Sequence, residues 1–133
     1  MSESISIQID SIDHLVLTVR DIPIACEFYR KVLGMEVITF GDNRKALKFG
    51  RQKLNLHQAG RELEPKAAWP TPGAIDLCLL SVEPIDRVVA HLQDCGVGIE
   101  LGPVQRTGAN GSIQSVYIRD PDCNLVEIAY PLR

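Results

Sequence analysis

The sequence predicts an α+β protein of one domain, made of two tandem βαβββ modules whose strands can curve around a common cavity. Three observations carry the prediction. Residues 12–34 and 75–96 are two versions of one pattern: Ile12-Asp13-His14-Leu15-Val16-Leu17 leads to Val32-Leu33-Gly34, and Ile75-Asp76-Leu77-Cys78-Leu79-Leu80 leads to Asp94-Cys95-Gly96. In each copy a strand-like alternation gives way to helical spacing, and three more strand-like runs follow. His14 lies 20 residues before Gly34 and Asp76 lies 20 before Gly96, so an imidazole and a carboxylate stand at equivalent strand positions.

Module one covers about 10–60. Leu15, Leu17 and Val19 alternate with His14, Val16 and Thr18, the period of a strand with two distinct faces. Asp21 then reads as a helix N-cap. Ile24, Phe28 and Val32 recur every fourth residue with Ala25, Tyr29 and Leu33 beside them, and Gly34 supplies the stop. Residues 35–40 read as a strand, Gly41-Asp42-Asn43 as a turn, 46–49 as a second strand and 54–58 as a third. Gly60, Pro65, Pro70, Pro72 and Gly73 mark a linker at about 61–73.

Module two, about 74–133, repeats the order. A strand at 75–82 precedes a helix whose Ile85, Val88, Val89, Leu92 and Cys95 form one apolar stripe. His91 lies on that helix and reads as a surface residue, not a ligand. A short strand is expected near 99–101, and strands at 113–119 and 125–130 flank the turn Asp120-Pro121-Asp122-Cys123-Asn124. Residues 102–111, bounded by Gly102-Pro103 and Gly108-Ala109-Asn110-Gly111, read as a loop long enough to act as a lid or binding segment.

Composition excludes several classes. With 45% apolar and 23% charged residues the chain is globular, and its length supports a core without disulfides. The net charge is −3 and the 14 Lys and Arg are scattered, so no basic stripe exists for nucleic acid to follow. Met1-Ser2-Glu3-Ser4 lacks the basic flank and apolar centre of a secretory signal, and no run suits a membrane span, which points to the cytoplasm. Cys26, Cys78, Cys95 and Cys123 form no C-x-x-C pair and are expected as small buried apolar residues.

Strand alternation places His14 with Val16 and Thr18, Asn55 with His57, Asp76 with Cys78 and Leu80, and Glu127 with Leu125 and Ala129. A polar group in such company is costly unless it is exposed, paired or bound to a metal. Two imidazoles, His14 and His57, with two carboxylates, Asp76 and Glu127, suit a borderline divalent ion such as Zn, Ni, Mn or Fe(II). No nucleophile elbow or phosphate loop appears that would support hydrolytic or nucleotide chemistry.

The segments His14-Leu15-Val16-Leu17-Thr18-Val19, Phe28-Tyr29-Arg30-Lys31-Val32-Leu33-Gly34 and Asp120-Pro121-Asp122-Cys123-Asn124-Leu125-Val126-Glu127-Ile128 resemble the vicinal oxygen chelate superfamily, and within it the small proteins similar to glyoxalase I (lactoylglutathione lyase). The resemblance covers almost the whole chain. It implies the glyoxalase/bleomycin-resistance/dihydroxybiphenyl dioxygenase fold, a U-shaped mixed sheet holding one divalent ion, with Ni, Zn, Mn, Co or Fe as candidates. By motif, His14 matches the first-strand ligand of module one, Asp76 that of module two, and Glu127 the last-strand glutamate. Where that pattern has glutamate in Leu54-Asn55-Leu56, this chain has Asn55, and His57 on the same face can substitute; Asp76 and Cys123 stand where histidine and glycine are usual.

The activity so implied is isomerisation of the thiol adduct of a small 2-oxoaldehyde such as methylglyoxal, through an enediolate, with glutathione as co-substrate. Glu127 is the candidate catalytic base as well as a ligand, and Asp76 a fourth ligand or the alternative base. The rivals are a thiol transferase, an extradiol dioxygenase using His14, His57 and Glu127, an enolate-forming epimerase, and a metal-free small-molecule binding protein. A homodimer is expected, since a curved sheet leaves edges that benefit from cover.

Overall fold

Strand β1 (His14–Val19) pairs in parallel with β4 (Gln52–Gln58), and the apolar residues of both, Leu17, Val19, Leu54 and Leu56, share the face that helix α1 (Ile22–Leu33) covers. The helix starts where Asp21 Oδ1 accepts from the Ile24 amide at 2.9 Å and stops at Gly34, whose φ of 67° is the left-handed cap. Its buried residues are Ala25, Tyr29 and Val32, while Ile24 is exposed, so the inward stripe lies one residue from the expected start. Antiparallel β2 (Glu36–Phe40) and β3 (Arg44–Phe49) complete sheet one in the order β1-β4-β3-β2. The structure is a computed structural model that describes residues 6–133, so the N-terminal Met1-Ser2-Glu3-Ser4 lies outside the described residues.

Module two repeats this topology. Strand β5 (Asp76–Leu80), helix α2 (Ile85–Asp94) and strands β6 (Leu101–Gly108), β7 (Gly111–Arg119) and β8 (Leu125–Pro131) give the order β5-β8-β7-β6, again with the first strand parallel to the last. Among the described residues the chain is thus two four-stranded mixed sheets with two helices, an α+β fold whose sheets are not closed. The segment between Gln58 and Asp76 holds no helix or strand, as its prolines require. No helix among the described residues is long and apolar enough to cross a membrane.

Helix α1 serves both halves. Val32 belongs to the second core, with Val88, Leu92, Val116, Ile118, Val126 and Ile128, and Phe28 and Leu33 pack against both clusters. A buried polar network ties the same helix to the turn after β7. Asp120 Oδ2 accepts from the Tyr29 hydroxyl at 2.6 Å and from Asn124 Nδ2 at 2.8 Å, and Asp120 Oδ1 accepts from the amides of Asp122 and Asn124. Asp122 Oδ1 accepts from the Arg20 amide and Nε, and Asn124 Oδ1 from the Ile75 amide. The Asp-Pro-Asp-Cys-Asn turn is therefore an internal latch between modules. Every buried carboxylate in it has its donors, as burial demands.

Two expectations are corrected. Residues 102–111 are not a lid: 101–108 form β6, an edge strand in a hairpin with β7. The register shifts between Leu101 and Val104, and a Cβ at Gly102 would lie 2.4 Å from the Ser115 carbonyl oxygen, so the glycine permits a close backbone approach at the irregularity. Pro103 is tolerated because an edge strand leaves one row of amides unpaired. The cysteines are not uniformly buried either. Cys26 and Cys95 are half-buried, while Cys78 and Cys123 are exposed, the latter at a φ of 67° that the tight turn imposes.

Candidate functional site

Alternation leaves one face of each sheet turned away from its helix, and the sequence-predicted site residues lie there. On sheet one, His14, Val16 and Thr18 stand opposite Lys53, Asn55 and His57 in register. On sheet two, Asp76 stands opposite Leu125, Cys78 opposite Glu127 and Leu80 opposite Ala129. Superposing the two topologies equates His14 with Asp76 and Asn55 with Glu127. His57 falls one pleat further along, at the counterpart of Ala129.

Each group has its own environment. The His14 side chain is 43% exposed, and its Nδ1 donates to Asp13 Oδ2 at 2.9 Å, which leaves Nε2 free to ligate. The same hydrogen bond holds the Asp13 carboxyl below its ordinary range. Asn55 is only 5% exposed and its Oδ1 is buried without a hydrogen-bond partner. His57 is 6% exposed; burial first, and the Arg44 cation second, push its pKa down, which favours the neutral ring. It lines a cavity of about 460 Å³ with Val16, Thr18, Trp69, Pro70 and Ile75, so the linker supplies a wall of the site. Asp76 is exposed and Glu127 half-buried. Cys78 lies beside Glu127, and partial burial followed by that carboxylate's charge pushes its thiol up to about 11.

The structure brings Cys78 and Glu127 together, with Asp76 one pleat away, and it sets His14, Asn55 and His57 on the other sheet. Among the described residues no three His, Cys, Asp or Glu side chains of one chain gather closely enough to hold a metal ion. What one chain offers is two half-sets of donors. Their chemistry fits a divalent ion, with the imidazoles of His14 and His57 beside an orphaned amide oxygen on one sheet and two carboxylates on the other. His91 stays outside both half-sets, exposed as expected, with Nε2 2.8 Å from the Val32 carbonyl oxygen and 3.5 Å from Cys95 Sγ.

Sequence reasoning missed three residues on sheet one. Phe40 of β2 pairs with Arg44 of β3, and the Arg44 guanidinium carbon lies 4.7 Å from the Phe40 ring centre. The Lys53 ammonium lies 3.8 Å from the same centre. Strand alternation could have placed Phe40, Arg44 and Lys53 on the His14 face, but charged residues in middle strands read as ordinary surface.

Residues 11–128 match the profile of the glyoxalase/bleomycin resistance protein/dioxygenase superfamily. The chain belongs to that superfamily. It is 58% identical to virulence protein STM3117 of Salmonella typhimurium over 127 residues, covering 96% of this chain and 88% of the relative. The crystal structure of that protein superposes with a TM-score of 0.93 over 95% of this chain and 100% of the other. The glyoxalase domain-containing protein RDO1 of Mycosarcoma maydis is 50% identical over 123 residues, 92% of this chain and 69% of the relative. The crystal structure of lactoylglutathione lyase from Agrobacterium tumefaciens shares 25% identity with a TM-score of 0.71, covering 92% and 95% of the two chains.

Proposed function

We propose that this superfamily member is a metal-dependent, glyoxalase-like lyase or isomerase acting in the cytoplasm on a thiol adduct of a small 2-oxoaldehyde such as methylglyoxal. The observation that carries the reading is the placement of His14 and Asp76 at equivalent registers of two repeated sheets, with Glu127 at the register next to Cys78. The similarity to a lactoylglutathione lyase across nearly the whole fold supports the choice of reaction. The proposed ligand set is His14, His57, Asp76 and Glu127, from two copies of the chain in a homodimer, because one copy supplies only half-sets.

When bound, a divalent ion supplies a Lewis acid for two neighbouring oxygens of the substrate. The rest falls to side chains. Glu127 takes the proton from the carbon next to the carbonyl and returns it to the adjacent carbon, a role its half-buried position permits. Asp76 is the alternative base. Asp13 fixes the tautomer of His14, and the linker, through Trp69 and Pro70, lines the cavity at the His57 end.

The test is metal analysis of protein purified without chelator, followed by turnover of the methylglyoxal–glutathione hemithioacetal with Ni, Zn, Mn or Co added. Stoichiometric metal and metal-dependent turnover are the expected result. A second reading, a metal-free small-molecule binding protein of the same fold, is favoured by one observation: Asn55 stands where a carboxylate ligand would, and the cations Arg44 and Lys53 share its face. Protein that is metal-free and inert under every addition would decide for that reading.

A further inference from the structure

We infer that the Arg44–Phe40–Lys53 cluster is a binding site for a carboxylate group of the small molecule this protein acts on. The inference rests on the reading that the helix-remote face of sheet one receives the substrate, and it adds the chemical class of that substrate.

Two cations are stacked on one ring, at 4.7 Å and 3.8 Å from its centre, and neither has a carboxylate within ion-pair distance among the described residues. Arg44 Nε is buried without a hydrogen-bond partner. A stacked guanidinium keeps its edge donors in a plane, which matches the two oxygens of a carboxylate. Asp42 lies in the turn between Phe40 and Arg44 but is exposed and forms no ion pair with either cation, and the other acidic side chains nearby are engaged or distant. Asp13 feels Lys53 but accepts from His14, Glu62 feels His57 but accepts from the Gly60 amide and pairs with Lys66, and Glu36 lies at the opposite end of β2 from Phe40.

The register shows what lies between the cations. Ala46 pairs with Asn55, and two residues along each strand bring Arg44 opposite His57. Asn55 is 95% buried in that row with Oδ1 unpartnered. The row therefore holds an imidazole and an amide, and no carboxylate, between two positive charges without ion-pair partners. Such a surface attracts an anion. Two sources could supply the carboxylate, the thiol portion of the substrate or its carbonyl portion.

The experiment is titration of the whole protein, stripped over chelating resin so that no polycarboxylate chelator remains, followed through the backbone amides of residues 36–58 by NMR. Glutathione probes the thiol portion and pyruvate the carbonyl portion, each beside the ester that masks its carboxylates. Saturable shifts with either acid and not with its ester are expected, and the acid that binds identifies the source. R44Q and K53Q should each weaken that binding about 10- to 100-fold, and R44K, which keeps the charge but loses the planar fork, should recover only part of it. K53Q tests the site independently if R44Q fails to fold. Equal binding of acid and ester, or unchanged binding by both Gln variants, overturns the inference. Acid binding in a protein that proves inert toward the hemithioacetal upholds it while removing the proposed reaction.

Discussion

The hydroxyl of Tyr29, on a helix of the first module, donates to Asp120 Oδ2, in the turn before the last strand, across 2.6 Å of fully buried space. Burial first and the Asp120 charge second push the Tyr29 pKa far above the physiological range, so the donor is present at every working pH. Tyr29→Phe leaves one donor, Asn124 Nδ2, on that oxygen. It should lower stability by about 1–3 kcal/mol, as expected for a buried hydrogen bond to a charged group. Chemical denaturation measures this, and an unchanged midpoint would remove the latch from the account.

Cys123 holds a φ of 67° in an exposed position of the same turn. A left-handed backbone strains a residue with a Cβ, whereas glycine adopts it freely at some entropic cost to folding. Cys123→Gly should raise stability by about 0.5–1 kcal/mol, read as a higher thermal midpoint.

Cys78 reports on Glu127. With its thiol pushed up to about 11, Cys78 should alkylate slowly at pH 8 and accelerate as the pH climbs toward that value. Glu127→Gln removes the neighbouring negative charge, so the thiol pKa falls and the pH 8 rate rises. Peptide-resolved mass spectrometry with iodoacetamide follows both, and a rate indifferent to the substitution would separate the two side chains.

A site shared between two copies has a signature in mixtures. His14→Ala and Glu127→Ala should each be inactive alone. Refolded together, they should recover about a quarter of parental turnover, because half of the dimers are mixed and each mixed dimer holds one intact site. No recovery from well-folded mixed dimers would place each site within a single chain.

How far the sequence could be read depended on whether a residue's role is local. The repeat, the helix caps at Asp21 and Gly34 and the faces of β1, β4, β5 and β8 were legible, because period and capping are written in neighbouring residues. Strand β6 was not, because Gly102-Pro103 is the signature of a loop and only the close approach to Ser115 explains it. The Asp120-Pro121-Asp122 turn read as a family mark; its work as a latch depends on Tyr29 and Arg20, some 90 to 100 residues away in sequence. The polar residues His14, Asn55, His57, Asp76 and Glu127 were visible as misfits in apolar strands. Their division between two sheets was not, since alternation gives a face and says nothing of which faces meet.

The latch also orders events during synthesis. A ribosome delivers residues 14–58 first, so all of sheet one and its helix emerge long before the acceptor for Tyr29 has been translated. Until residue 128 clears the exit tunnel, Phe28, Val32 and Leu33 also lack their full second set of neighbours. The nascent first half must therefore wait, with an incomplete helix surface open to solvent or to chaperones, for a turn that follows the first three strands of the second module.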